Sequence, residues 1–231
     1  MLIVSMTSIP PRFSNLSALF ANLASQSLRP DVIRMNLPRK WRRFDHAELP
    51  TVPPDIELHL IDEDAGPALK LLPTLRDVID KDVRILVCDD DWIFGDDWIK
   101  HLMDVSRKHP AAAVTGSGYR IDRFKLASRS THPDQVDIAQ GFSGILLEPS
   151  MFDDEIFNMP ESAWAVDDIW ISAMLARSKT PIFVAPHACS ERLAMNDASA
   201  LQSVRIDGMD RAAANLTVVN TARETFGIWD R

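Results

Sequence analysis

Apolar positions along the chain fall into two rhythms. Short apolar-rich stretches stand at Leu2–Met6, residues 32–37 and residues 85–88, and Ile56–Ile61 alternates apolar and polar positions with period two. Runs of that length, bounded by polar and proline-rich segments, read as buried strands. Between them the spacing lengthens toward 3.6 residues. Leu16, Leu19, Phe20 and Leu23 share one face of a helix predicted over residues 15–27, with Ser14 as its cap. Leu69, Leu72 and Leu75 share a face of another helix after the Gly66-Pro67 turn. The order strand, helix, strand, loop, strand, helix, strand implies an α/β fold with a mostly parallel central sheet and helices on its faces. Ligands of such sheets sit in a crevice beyond the carboxyl ends of the strands.

The second half is less regular. A helix is predicted over residues 96–109, with Trp98, Leu102 and Val105 inward, followed by a strand over 112–119. Residues 122–137 are polar and are expected to form a mobile loop. A strand over 141–148 is entered through Gly141 and Gly144, and residues 149–160 read as irregular or as a helical turn. Val166-Asp167-Asp168 opens a helix with Ile169, Trp170, Ala173 and Met174 apolar; a short strand over 182–185 follows, closed by Pro186-His187. One or two helices are expected over 196–226, broken near Asp207-Gly208. Without an internal repeat or low-complexity tract, residues 1–231 are expected to form a single domain.

Composition narrows the function classes. The hydrophobic share of 46% and charged share of 25% are those of an ordinary soluble globular protein. A net charge of −8 argues against broad nucleic-acid binding, although local Arg and Lys can still serve an anionic substrate. Cys88 and Cys189 lack metal-type spacing and read as reduced thiols, Cys88 as core filler. The start is too short in its apolar patch for a signal peptide, and no stretch approaches the roughly 20 apolar residues a membrane span needs. A cytoplasmic protein is expected.

The chemistry concentrates where strands end. Residues 85–88 empty into Asp89, Asp90 and Asp91. Three carboxylates at the end of a buried strand repel one another, so they need a positive partner or full solvation. A divalent cation shared with a phosphate meets that need, because hard ions take carboxylate and phosphate oxygens together; a solvated turn is the plain alternative. Asp167-Asp168 can be N-terminal helix charge or can supply a general base at a cleft edge. Lys70 and Arg12, each a few residues beyond a strand end, are the candidate diphosphate partners, against the plain reading of solvated side chains. His187 follows a strand-closing proline and can complete a carboxylate metal site or be structural. Trp92, Phe142, Trp164 and Trp170 flank the acidic motifs as core or as stacking surfaces. Phosphate-loop and dinucleotide-fold glycine signatures are missing, and Gly141–Ser143 is not part of a nucleophile elbow.

Taken in order, these segments resemble a GT-A-type glycosyltransferase, most like the bacterial family 2 or family A-like enzymes. The resemblance runs from Ile3 to about Asn196. It rests on a Thr-Ser-Ile-Pro-x-Arg loop, PDVIRMNLP, GPALKLLP, LVCDDDWIF as the DxD region, GFSGILL and AVDDIW. It implies a single GT-A-like, Rossmann-like domain, a nucleotide-diphospho-sugar donor and Mn2+ or Mg2+. Residues 1–119 would bind the donor, 120–195 would carry the acceptor and catalytic side, and 196–231 would be C-terminal helices. Thr7, Ser8 and Arg12 would line the nucleotide site, Asp64 the base or ribose, and Lys70 the ribose or diphosphate. Asp89 and Asp90 would sit by the nucleoside and ribose, with Asp91 the main metal ligand, Asp89 beside it and His187 a late metal or phosphate ligand. Asp168, or its neighbour Asp167, would be the base of an inverting displacement. The pair here is Asp-Asp where Glu-Asp is more familiar in family 2.

The acceptor would be a carbohydrate or lipid-linked hydroxyl, and no added acceptor domain or membrane segment is expected. The basic run over residues 39–43, with Trp41, can be a solvated loop or touch an anionic membrane surface. A metal-dependent nucleotidyltransferase, a phosphohydrolase and a catalytically silent nucleotide-sugar-binding domain use the same acids and remain the rival readings.

Overall fold

The strands that carry the site lie side by side in the middle of one sheet. In a computed structural model, residues 1–45, 48–128, 130, 132–195 and 208–230 are described. Strands β1 (Leu2–Met6), β2 (Val32–Pro38), β3 (Ile56–Ile61) and β4 (Arg84–Cys88) run parallel in the order β3-β2-β1-β4. The short β5 (Trp92–Phe94) leaves this sheet. The ladder continues through β10 (Ile145–Leu147), antiparallel to both β4 and β6 (Ala113–Thr115). It ends with β11 (Ile182–Val184), parallel to β6, and the edge strand β8 (Gln135–Val136).

Both faces are covered, which is why the central strands are almost continuously apolar, with Ser5 of β1 buried against Thr74. Leu2, Val4 and Met6 of β1 and Leu86 and Cys88 of β4 face one core with helices α1 (Leu16–Ala24) and α3 (Trp98–Lys108). Ile3, Ile85 and Val87 face the other core with α2 (Leu72–Val78), α4 (Asp167–Arg177) and α5 (Arg211–Phe226). The α/β class, the mostly parallel sheet and helices on both faces are as expected. Among the described residues no helix is long and apolar enough to cross a membrane.

Several boundaries differ from the sequence expectation, each for a local reason. Pro10 and Pro11 open a 3-10 turn over Pro10–Asn15, so α1 begins at Leu16 and Ser14 does not cap it. The strand expected over 112–119 splits. Its chain passes so close to the next segment that a Cβ on Gly116 would lie 2.7 Å from the Ser143 carbonyl oxygen, and β7 (Gly118–Tyr119) pairs instead with β9 (Ile138–Ala139). The strand expected over 141–148 begins as a 3-10 turn, Gly141–Ser143, and only Ile145–Leu147 joins the sheet. The expected loop over 122–137 contains the end of a 3-10 turn, Ile121–Phe124, and edge strand β8. Of the expected C-terminal helices, α5 is observed, capped by Asp210 at its start and by Gly227 at φ +61° at its end. Residues 196–207 lie outside the described set.

Candidate functional site

Register brings the first two acidic and polar loops together. Met6 of β1 lies opposite Cys88 of β4, so Thr7-Ser8 and Asp89-Asp90 leave the sheet side by side. Ser8 donates its hydroxyl to Asp90, and Arg12, from the Pro10–Asn15 turn, binds the other oxygen of the same carboxylate. Arg12 also sits 3.0 Å from Asp91 Oδ2. Burial pushes the Asp90 pKa up, against the pull of Arg12 and Ser8. Burial, and next the charge of Asp89, push Asp91 up to about 6, with Arg12 opposing. Asp91 Oδ1 is buried and has no hydrogen-bond partner.

Lys70 holds the second half of the site. It ends the 3-10 turn Gly66–Lys70 and is 2% exposed, so it does not snorkel to solvent. Its Nζ lies 2.6 Å from Asp89 Oδ1, 3.0 Å from Asp167 Oδ2 and 3.8 Å from Asp168 Oδ1. Burial would lower its pKa, but Asp167, Asp89 and Asp168 together outweigh it and hold the ammonium well above its ordinary value. Burial pulls Asp89 the opposite way, yet Lys70 and then Arg12 bring it below the usual carboxylate range. Asp168 goes up to about 7, chiefly through burial, with Lys70 opposing and Asp167 reinforcing.

Two glycines make this packing possible. At Gly66 φ is +61° and a Cβ would lie 2.7 Å from the Trp164 carbonyl oxygen, so the backbone turns where a side chain cannot go. At Gly141 a Cβ would lie 2.5 Å from Lys70 Nζ and 2.9 Å from Asp168 Oδ1. The Gly141 N–H instead donates to Asp168 Oδ1 at 3.0 Å. Beneath Lys70, the buried Asn36 amide donates to the Leu69 carbonyl at 3.0 Å and ties the turn to β2.

These groups floor a cleft of about 440 Å³, within the size range of small-ligand sites. It gathers Thr7, Ser8, Arg12, Asp64, Lys70, Asp89, Asp90, Asp91, Asp167 and Asp168. His187 is not among its lining residues; its ring lies 5.6 Å from that of His101 on α3. Asp64 is held by backbone donors, the Arg42 N–H at 2.6 Å and the Gly66 N–H at 2.8 Å. Trp164 donates its indole N–H to the Asp64 carbonyl at 2.9 Å and lies under the Arg42 guanidinium. Of the basic run, Trp41 and Arg43 line the cleft, while Arg39 pairs with Asp62 and Arg42 with Glu161.

Arg192, Arg211 and Gln140 also line the cleft, and sequence reasoning singled out none of them. Arg192 lies on β12 (Arg192–Ala194), which pairs with β5, and three-residue strands carry no readable period. Arg211 opens α5, where the only sequence signal was a helix start.

Among the described residues no three His, Cys, Asp or Glu side chains converge as a metal cage. The donor set suits a different kind of site. Mg2+ and Mn2+ bind well to one or two carboxylates plus substrate phosphates, and the unpartnered Asp91 Oδ1 offers such a carboxylate oxygen. Asp89 is already committed to Lys70 through one oxygen.

Fold and site together define an α/β protein with an acid-floored cleft at the carboxyl ends of its parallel strands. No protein-family model matches the chain, and no curated protein matches it. Among solved structures it is similar to a mannosyltransferase from Pyrobaculum calidifontis in complex with GDP-Man and Mn2+, at 14% identity and a TM-score of 0.49. That alignment covers 81% of this chain and 54% of the other, so the chain spans about half the length of that structure.

Proposed function

We propose that the protein is a metal-dependent glycosyltransferase that moves a sugar from a nucleotide-diphospho-sugar to an acceptor hydroxyl with inversion. The observation that carries this reading is the meeting of two unlike carboxylates in one cleft. Asp91 has a buried oxygen free of any donor, and Asp168 is held near neutrality beside a glycine N–H. The first suits a cation shared with phosphate, the second a general base.

Asp91 would hold Mn2+ or Mg2+ together with the donor's phosphates; such an ion supplies charge neutralisation of a departing diphosphate. Thr7 and Asp64 border the nucleoside end. Lys70 sets the protonation of the acids around it. Its charge keeps Asp89 ionised and anchors Asp167, which leaves Asp168 as the base. Asp168 accepts the proton of the acceptor hydroxyl as the acceptor oxygen bonds to the anomeric carbon. The bond from that carbon to the diphosphate oxygen breaks on the opposite face, and the nucleoside diphosphate leaves with the electron pair. In this division residues 1–119 supply the nucleoside and metal side of the donor site and residues 120–195 bring base and acceptor, a carbohydrate or lipid-linked hydroxyl.

The reading is tested by incubating UDP-, GDP- and dTDP-sugars with sugar and lipid-linked acceptors, with Mn2+ and with EDTA. Metal-dependent release of nucleoside diphosphate, lost in Asp91→Ala and Asp168→Asn alike, is expected. Near-normal turnover by Asp168→Asn would remove the base assignment, and a product of retained anomeric configuration by NMR would remove inversion. Nucleotidyl transfer, or phosphate release from simple esters, would favour the rival enzymes.

A further inference from the structure

Resting on the reading above, we infer that Arg192 is a binding residue for the diphosphate of the donor. β12 is bonded to the acidic loop itself: the Met195 N–H donates to the Asp91 carbonyl at 2.8 Å, and Ala194 lies opposite Trp92. This places Arg192 on the cleft, with its guanidinium 4.4 Å from the ring centroids of both Trp92 and Phe142. The rings favour a cation through their faces but accept no ordinary hydrogen bond. Arg192 Nη1 is buried and has no acceptor.

Buried donors and acceptors are rarely left without partners. Trp41 Nε1 and Asp167 Oδ2 in the cleft also have no hydrogen-bond partner, but one orphan of each sign stands on neighbouring elements: the Asp91 Oδ1 acceptor just before β5 and the Arg192 donor on the strand paired with β5. They do not satisfy each other, and Asp91 turns its other oxygen to Arg12. A ligand that completes both must bring a cation to Asp91 and an anion to Arg192. A diphosphate carrying a divalent ion does so in one piece, and the planar guanidinium matches two phosphate oxygens better than an ammonium would. Arg192 would therefore bind the nucleotide through its second phosphate and hold that charge as the sugar leaves.

The test compares UDP, GDP and dTDP with UMP, GMP and dTMP by isothermal titration, in Mg2+ and in EDTA. Wild type is expected to prefer the diphosphate of one base. Arg192→Gln should cut that preference about tenfold, the scale of one charge-assisted contact, in both buffers and with monophosphate affinity unchanged. Arg192→Lys should recover part of it, and the unliganded melting temperatures should show all three proteins folded. An unchanged preference in a folded Arg192→Gln overturns the inference while leaving the proposed function intact, as does a loss of acceptor affinity alone. Failure of every diphosphate to bind wild type in Mg2+ would instead remove the reading on which it rests.

Discussion

Lys70 is the residue on which the site's electrostatics turn. A buried ammonium among three carboxylates is a costly arrangement, and removing one member strands the others. Lys70→Met should destabilise the protein by about 3–5 kcal/mol near pH 8, with the loss shrinking toward pH 5 as the stranded acids take up protons; urea unfolding at the two pH values measures this. Asp168 gives the opposite sign. Its folded pKa of about 7 lies above the ordinary carboxylate value, so the folded state holds a proton that the unfolded chain has already lost. Stability from this group is full at low pH and declines as pH rises from about 4 through about 7. Asp168→Asn, which keeps the oxygen facing Gly141, should therefore raise stability by on the order of 1–3 kcal/mol at pH 8 and by little at pH 4. The same change should lower turnover by about 10²–10⁴-fold, the usual contribution of a general base, with donor binding retained. For the wild type, the acid limb of kcat/KM should break near pH 7, where an ordinary carboxylate would place it near 4. A break near 4 would mean that another group takes the proton.

At the scale of elements, two tight turns do what side chains cannot. Gly141→Ala would press a methyl group against Lys70 Nζ and Asp168 Oδ1. A side-chain end can yield where backbone cannot, so kcat should fall by an order of magnitude or more while melting changes little, because the displaced atoms belong to the proposed base and its counter-ion. Gly66→Ala meets backbone and a positive φ, and should cost stability outright, about 1–3 kcal/mol by thermal or urea unfolding. Leu2–Met6 was legible because burial on both faces leaves only Ser5 polar, and the edge strand Ile56–Ile61 because Glu57 and His59 alternate with its apolar positions; both have the bounds their sequence predicts. The acids at their ends were legible for the same reason, as charges where a core stops. The β5 and β12 ladder was not, since each strand has three residues and pairs across about a hundred positions. Lys70 could be named but its burial could not, because only the fold brings Asp167 from α4 to meet it.

Across the whole molecule, a chain of net charge −8 builds a cleft floored by aspartates and walled by Arg192 and Arg211. Such a cleft favours a ligand that carries charges of both signs. It lies beyond the carboxyl ends of β1 and β4, where the strand order β3-β2-β1-β4 reverses direction, and sheets of this class place ligands at such switch points. The central claim is that a nucleotide-diphospho-sugar and a divalent cation fill this cleft together, with Asp91 as the protein's link to the cation. Thermal unfolding of wild type and Asp91→Asn against UDP-, GDP- and dTDP-sugars, with a CMP-sugar as the monophosphate control, with Mn2+ and with EDTA, tests it directly. At a hundredfold excess over the dissociation constant, the sugars of one nucleotide should raise the wild-type midpoint by about 5–10 °C in Mn2+, with most of the shift lost in EDTA and in Asp91→Asn. Equal shifts with and without metal, equal shifts in the variant, or no shift with any donor would contradict it.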